Sequence, residues 1–177
     1  KEFIKICNLL DSLNIKYFLQ TGILLGAIRH KGFIPWDWDV EISVFAKEVE
    51  DKIDILIDQI NNLGFNVEKY YKDSPKLKID FVGKLSKEIN SYTIQGWYHD
   101  KNKKIFWRNK FKVPDYLFNE MREIELFGKY HLAPFPPEKY LEHQYGNWRK
   151  PLQTSDKSKY LTKRFSGISP TKIFIKK

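Results

Sequence analysis

The stretch Thr21 to Val44 reads TGILLGAIRHKGFIPWDWDVEISV, and its two halves follow different periods. From Asp37 onward the residues alternate, with Asp37, Asp39, Glu41 and Ser43 to one side and Trp38, Val40, Ile42 and Val44 to the other. That period of two predicts a strand over 37–44 with its acids in register, neighbours about 6 to 7 Å apart by strand rise. Carboxylates in such a row repel one another unless a cation compensates them. Clustered hard oxygen donors suit Mg²⁺ or Mn²⁺. Upstream, Thr21-Gly22 predicts a tight turn that starts a short helix over 23–29. Gly22 and Gly26 flank that helix start, and Arg29, His30 and Lys31 follow at its end. A glycine turn feeding a helix N-terminus offers free N–H groups to a phosphate, and cations nearby add charge complementarity. Joined to the acidic strand, the pattern describes a site that holds a polyphosphate between backbone donors and metal ions.

Outward from this stretch, Phe3, Ile6, Cys7, Leu10 and Leu13 recur at helical spacing, which predicts a helix over 2–13 and puts Cys7 in the core. A strand is expected over 17–20, and a longer helix over 47–63 with Val49, Ile53, Leu56 and Ile60 inward and Gly64 as its cap. Further strands are read at 65–71, 77–82, 92–98 and 105–107, the second carrying Asp80 between Ile79 and Phe81. A hairpin turns at Gly128, and Pro136-Pro137 open a helix that runs through Tyr145 to Gly146. With no internal repeat and no Gly/Ser linker, residues 1–177 read as one domain. The expected class is α/β in the loose, α+β sense: a mixed, mostly antiparallel sheet from strands near 17–20, 38–44 and 77–82, with the helices packed against it.

A chain of 177 residues with 42% hydrophobic and 16% aromatic content is too apolar for disorder and long enough to bury a core. One cysteine excludes an internal disulfide and a Cys-rich zinc site, and the four histidines show no ligand spacing. No apolar run approaches the ~20 residues of a membrane span, nor is there a signal-peptide pattern. The expectation is a cytoplasmic protein, with the inner face of a membrane as a possible station. The chain starts at Lys1 without an initiator Met, which leaves room for an anchor or a further domain outside it. Its net charge of +9 is concentrated: from Arg149 to Lys177 nine cations stand against Asp156 alone. A second basic run, Lys101 to Lys112, is interleaved with Phe106, Trp107 and Phe111. Basic runs read first as solvated surface and second as a landing place for an anionic partner.

The segment LLGAIRHKGFIPWD resembles the LicD family almost residue for residue. Relatives of that family include fukutin and fukutin-related protein, within the polymerase beta-like nucleotidyltransferase superfamily. That pattern is a glycine turn, a short helix, a strand bearing acid, hydrophobic residue and acid, and a third acid on a later strand. Gly22 fits the turn, Asp37-Trp38-Asp39-Val40-Glu41 the acidic strand, and Asp80 in KLKIDFVG the later acid. Trp38 departs from the family, many bacterial members of which carry Asp there. A second match, YLEHQYGNWRKP at 140–151, resembles the family's C-terminal signature and brings in Tyr145, Trp148 and Arg149.

The resemblance implies transfer of a phospho-alcohol, such as phosphocholine or ribitol phosphate, from a CDP-activated alcohol donor to a glycan acceptor, with release of CMP. Under that reading Asp39 and Glu41 are the principal Mg²⁺ or Mn²⁺ ligands, Asp37 an additional one, and Asp80 a ligand or general base. Arg29 is expected to clamp a phosphate, with His30 and Lys31 beside it. Trp36 and Trp38 are expected to pack beneath the site, Trp36 with the option of stacking on a cytosine or sugar. Lys157 and Lys159 reach the donor if the basic tail folds back. The runner-up is a nucleotidyltransferase that moves NMP from an NTP, since the same turn and acids serve both reactions. A non-catalytic nucleic-acid or anionic-surface binding module, built on the basic tail, stands third. Nucleic acid is not an expected partner, because clustered acids repel a phosphate backbone.

Overall fold

The alternating acids lead into a central strand of the sheet. In the computed structural model, which describes residues 1–72, 76–84 and 91–162, β2 (Asp39–Phe45) buries Val40, Ile42 and Val44 completely. It pairs antiparallel with β1 (Tyr17–Leu19) on one side. On the other it pairs in parallel with β5 (Ser91–Asp100), in register from Asp39 opposite Ser91 to Phe45 opposite Trp97. β1 continues into β9 (Lys129–Pro134) in parallel, and β9 forms a hairpin with β8 (Met121–Leu126). Beyond β5 lie β4 (Lys78–Val82) and the edge strand β3 (Asn66–Tyr71), both antiparallel. The last residues of β5 pair with a second hairpin, β6 (Ile105–Arg108) and β7 (Phe111–Pro114). The result is the expected mixed α/β sheet, ordered β3-β4-β5-β2-β1-β9-β8 along its main path.

β5, which the three strands named for the expected sheet did not include, lies between β2 and β4. Residues 92–98 of β5 are all buried, whereas β4 alternates Lys78 and Asp80 with the buried Ile79 and Phe81. A strand that buries both faces belongs in the middle of a sheet, so the half-exposed strand is displaced outward.

The helices cover this sheet. α1 (Glu2–Ser12) buries Phe3, Ile6, Cys7 and Leu10. The helix expected over 47–63 is regular only as α3 (Ile53–Asn62); residues 46–48 and 50–52 form two 3₁₀ turns. Buried Ala46 and Val49 stand three apart, the repeat of the tighter helix, and that pulls the backbone out of the α geometry there. Gly64, at φ +90, caps the end where a side chain would be strained. Phe127 and Gly128 both take positive φ in the β8–β9 turn, as a hairpin of native twist requires. α4 (Pro137–Tyr145) ends at Gly146, and α5 (Lys157–Tyr160) is a single turn capped by the Asp156 side chain, which accepts from the Ser158 N–H. No helix among the described residues is long and apolar enough to cross a membrane. The basic tail beyond Thr162 lies outside the described residues.

Candidate active site

α2 (Thr21–His30) follows β1 almost without a loop. Gln20 is extended, Thr21 takes a left-handed φ of 55, and the helix has begun. The expected turn is thus compressed into Thr21, a strained position for a β-branched residue. Gly22 already lies in the first helical turn, and its role is close approach: a Cβ there would stand 2.8 Å from Asp37 Oδ2. Helix N-terminus and first acid therefore meet.

Asp37 is not on the strand. It closes a turn, its N–H donating to Ile34 O at 3.0 Å, with Pro35 pre-set at the second position. Released from the strand pleat, its carboxyl reaches that of Asp39 and the two share a hydrogen bond. Burial, and then the charge of Asp39, push Asp37 up to about 7, so Asp37 carries the proton and Asp39 accepts it. Asp39 is itself raised by burial and by Glu41, and Lys157 opposes this from across the cleft. Glu41 Oε2 lies 4.0 Å from Nη2 of Arg108. The row of three equal acids thus divides into a proton-sharing pair and a glutamate that faces an arginine.

These groups line a cleft of about 830 Å³, and its second wall comes from the C-terminal part of the chain. Arg29 Nη1 donates to Trp148 O at 2.8 Å, tying α2 to the segment after α4. The Thr162 N–H donates to Gln144 O at 2.8 Å and turns the chain back, so that Lys157 and Lys159 of α5 line the cleft. Tyr145 and Tyr160 stand with ring centroids 6.2 Å apart. Both phenols are raised, first by burial and then by acids facing them, Glu41 for Tyr145 and Asp37 for Tyr160.

Of the residues singled out in the sequence, the cleft brings together Gly22, Arg29, Trp36, Asp37, Asp39, Glu41, Tyr145, Trp148, Lys157 and Lys159. Others stand elsewhere. Asp80 is two strands from Glu41, about 10 Å by strand spacing. It bonds instead to Lys78 at 2.9 Å and to Thr93 Oγ1 at 2.7 Å. Gly26 serves packing: a Cβ there would meet Gly32 O at 2.4 Å, so the glycine lets the 31–35 loop lie on the helix. His30 accepts from Arg29 Nε at 2.9 Å and meets the Trp36 ring edge-on, while exposed Lys31 ends α2 in a left-handed conformation. Arg149 rests on the Trp148 ring, 4.4 Å from its centroid. Trp38 does not pack beneath the site: it precedes β2, outside the strand pleat that buries Val40, and stands 64% exposed at the rim of the cleft. Trp36 is 37% exposed and also stands at the rim.

The sequence reading missed Arg108, Thr21, Gln144 and Tyr160, all of which line the cleft. Arg108 belongs to the run read as solvated basic surface. Its signal lay in position, since it ends a strand directly after Phe106 and Trp107.

Asp37 and Asp39 are the carboxylates that could hold a magnesium ion here. Among the described residues no three acidic, His or Cys side chains close around a common point. Mg²⁺ keeps several waters and is usually held by one or two carboxylates together with substrate phosphates, a demand that Asp37 and Asp39 meet as a pair.

Residues 14–135 match the family described as LicD/FKTN/FKRP, nucleotidyltransferase domain. An uncharacterized protein of Rickettsia prowazekii is 32% identical over 148 residues, which cover 80% of this chain and 52% of that protein. The lipopolysaccharide cholinephosphotransferase LicD of Haemophilus influenzae is 38% identical over 85 residues, 48% of this chain and 30% of that one. Human ribitol 5-phosphate transferase FKRP is 24% identical over 152 residues, 80% of this chain and 30% of that one. The chain therefore spans about half or less of the length of the curated relatives it matches. On the match of the larger part of its length, and with a glycine helix start set against paired acids, this chain belongs to the LicD/FKTN/FKRP nucleotidyltransferase-domain family.

Proposed function

We propose that the chain is the catalytic domain of a Mg²⁺- or Mn²⁺-dependent phosphotransferase that moves a phospho-alcohol from a CDP-activated donor to a glycan hydroxyl and releases CMP. The observation that carries this reading is the meeting of Gly22, at the start of α2, with the Asp37–Asp39 pair in a cleft whose other wall is cationic. A bare acidic pair would repel a diphosphate. A helix N-terminus and the ammonium groups of Lys157 and Lys159 counter that repulsion and bind its phosphates.

Asp37 and Asp39 would hold the metal, which when bound neutralises phosphate oxygens and polarises the phosphorus under attack. Displacing the shared proton from Asp37 is the cost of loading the site. Glu41, next in the row, is the carboxylate left to take the proton of the attacking hydroxyl. The acceptor oxygen then forms a bond to phosphorus as the bridging oxygen departs with CMP. Tyr145, Trp148 and Tyr160 narrow the cleft and limit water's competition with the acceptor.

The test is a mass-spectrometric screen of CDP-alcohols and of NTPs, each with Mg²⁺ and a mixture of oligosaccharide acceptors. CMP release together with a mass gain on an oligosaccharide supports the reading. Pyrophosphate release from an NTP overturns it in favour of nucleotidyl transfer.

A further inference from the structure

Arg108 is the cleft residue whose surroundings leave most chemistry unused. It sits at the end of β6 with its side chain only 15% exposed, its guanidinium carbon 5.1 Å from the Trp97 ring centroid and 4.7 Å from that of Phe111. Aromatic faces attract a cation but supply none of the in-plane acceptors that a guanidinium's five N–H donors require. Its ion pair with Glu41, at 4.0 Å, is longer than a hydrogen bond, and buried Nε has no partner among the described residues. Burying a cation with so little compensation is costly, and a fold built for stability alone would gain by an apolar residue of the same length. The N–H edge is therefore free for an anion in a cleft that also holds the start of α2, Lys157 and Lys159.

We propose that Arg108 is an anion-binding residue of this cleft, receiving a phosphate of the donor's diphosphate and giving up Glu41 as it does so. The assignment rests on the phosphotransferase reading for the identity of the donor. The chemistry it names, a guanidinium taking a diphosphate oxygen, is shared by any nucleotide diphosphate or by free pyrophosphate. Arg suits the role because its rigid fork meets two phosphate oxygens at once, which a lysine ammonium cannot do.

The test is a calorimetric titration of the full chain with inorganic pyrophosphate in Mg²⁺ buffer, alongside thermal melts of the same samples. Wild type should bind, and Arg108→Met, which keeps the length packed between the two rings, should bind at least tenfold more weakly with an unchanged or raised melting temperature. Arg108→Lys should fall between them, and it carries the test if the Met variant does not fold. Unchanged pyrophosphate affinity in these variants, or no binding by wild type, overturns the proposal. A lowered melting temperature with affinity intact makes Arg108 a structural partner of Glu41. No turnover is read, so a failure of the CDP-alcohol screen leaves this result standing. An active enzyme with Arg108-independent pyrophosphate binding removes Arg108 alone.

Discussion

The two walls of the cleft are built in different ways. The acid wall comes from residues close in sequence, 21–41, and is anchored by β2, which is paired along its whole length with β5 and by its second half with β1. The cationic wall, from Gln144 to Leu161, is held by Arg29 to Trp148 O, by Thr162 to Gln144 O and His143 O, by the contact of two tyrosine rings, and by Trp148 and Leu161 packing on the core. Its one helix is a single turn. Groups that must be held against each other are thus placed on sheet backbone, where displacement breaks many bonds at once. Lys157 and Lys159 stand instead on a single helical turn outside the sheet.

The sharpest way to break this contrast is Asp39→Ala. It should abolish turnover, by about a thousandfold or more, the scale of losing a group that holds a catalytic metal. The melting temperature should not fall, because one source of acid–acid repulsion is removed with it. Kinetics and a thermal melt of one sample read both. A folded variant with wild-type turnover would move the chemistry off the acid wall.

The second wall predicts a different signature. Lys157→Ala with Lys159→Ala should weaken donor binding about tenfold, with a shallower dependence on salt, and leave stability nearly unchanged. A KM increase measured at two ionic strengths is the readout. Loss of stability instead would make that wall part of the core fold. Arg29→Gln should act in between: it cuts the tie to Trp148 O, and donor affinity should drop by about 1 to 3 kcal/mol, the scale of a charge-assisted hydrogen bond.

A smaller effect separates the walls by pH. Asp37 is raised in the folded protein, up to about 7, so the folded state holds a proton that the unfolded chain releases near 4. Its contribution to stability is complete below pH ~4 and is lost as pH rises to ~7. Solvent screening in this partly exposed site limits the change to about 1 to 2 kcal/mol. Metal-free melts across that window should show the decline, and Asp37→Asn should flatten it. The smallest effect belongs to the rim: Trp38→Ala should change stability by no more than ~0.5 kcal/mol, as for an exposed side chain without structural partners. A larger loss by denaturant titration would show that Trp38 packs after all.

The acid wall was legible because it is local. Alternation from Asp37 to Val44 and the glycine at 22 announce themselves within a few residues of each other, and backbone geometry converts that spacing into shared direction. Where local geometry changes inside the stretch, the reading slipped: Pro35 turns the chain at Asp37, so the first acid leaves the strand and meets the second. Asp80 stands outside the cleft for a long-range reason. Its strand has the right alternation, but which strand lies beside β2 depends on a competition with β5 for the centre of the sheet.

Sequence alone therefore determined most of the elements, β7 and α5 excepted, together with the class of fold, the acidic strand and the family pattern, all of which rest on periodicity and on residues near one another along the chain. Tertiary structure decided which carboxylates pair and that the segment after α4 closes the cleft. It also decided that one arginine of a basic, aromatic run turns inward while the lysines at 101, 103 and 104 stay in water. Arg108 and Glu41 are 67 positions apart, and no local rule relates them. They meet because β5 carries the second hairpin past the end of β2, and burial of Trp97 and Tyr98 fixes where that hairpin lies.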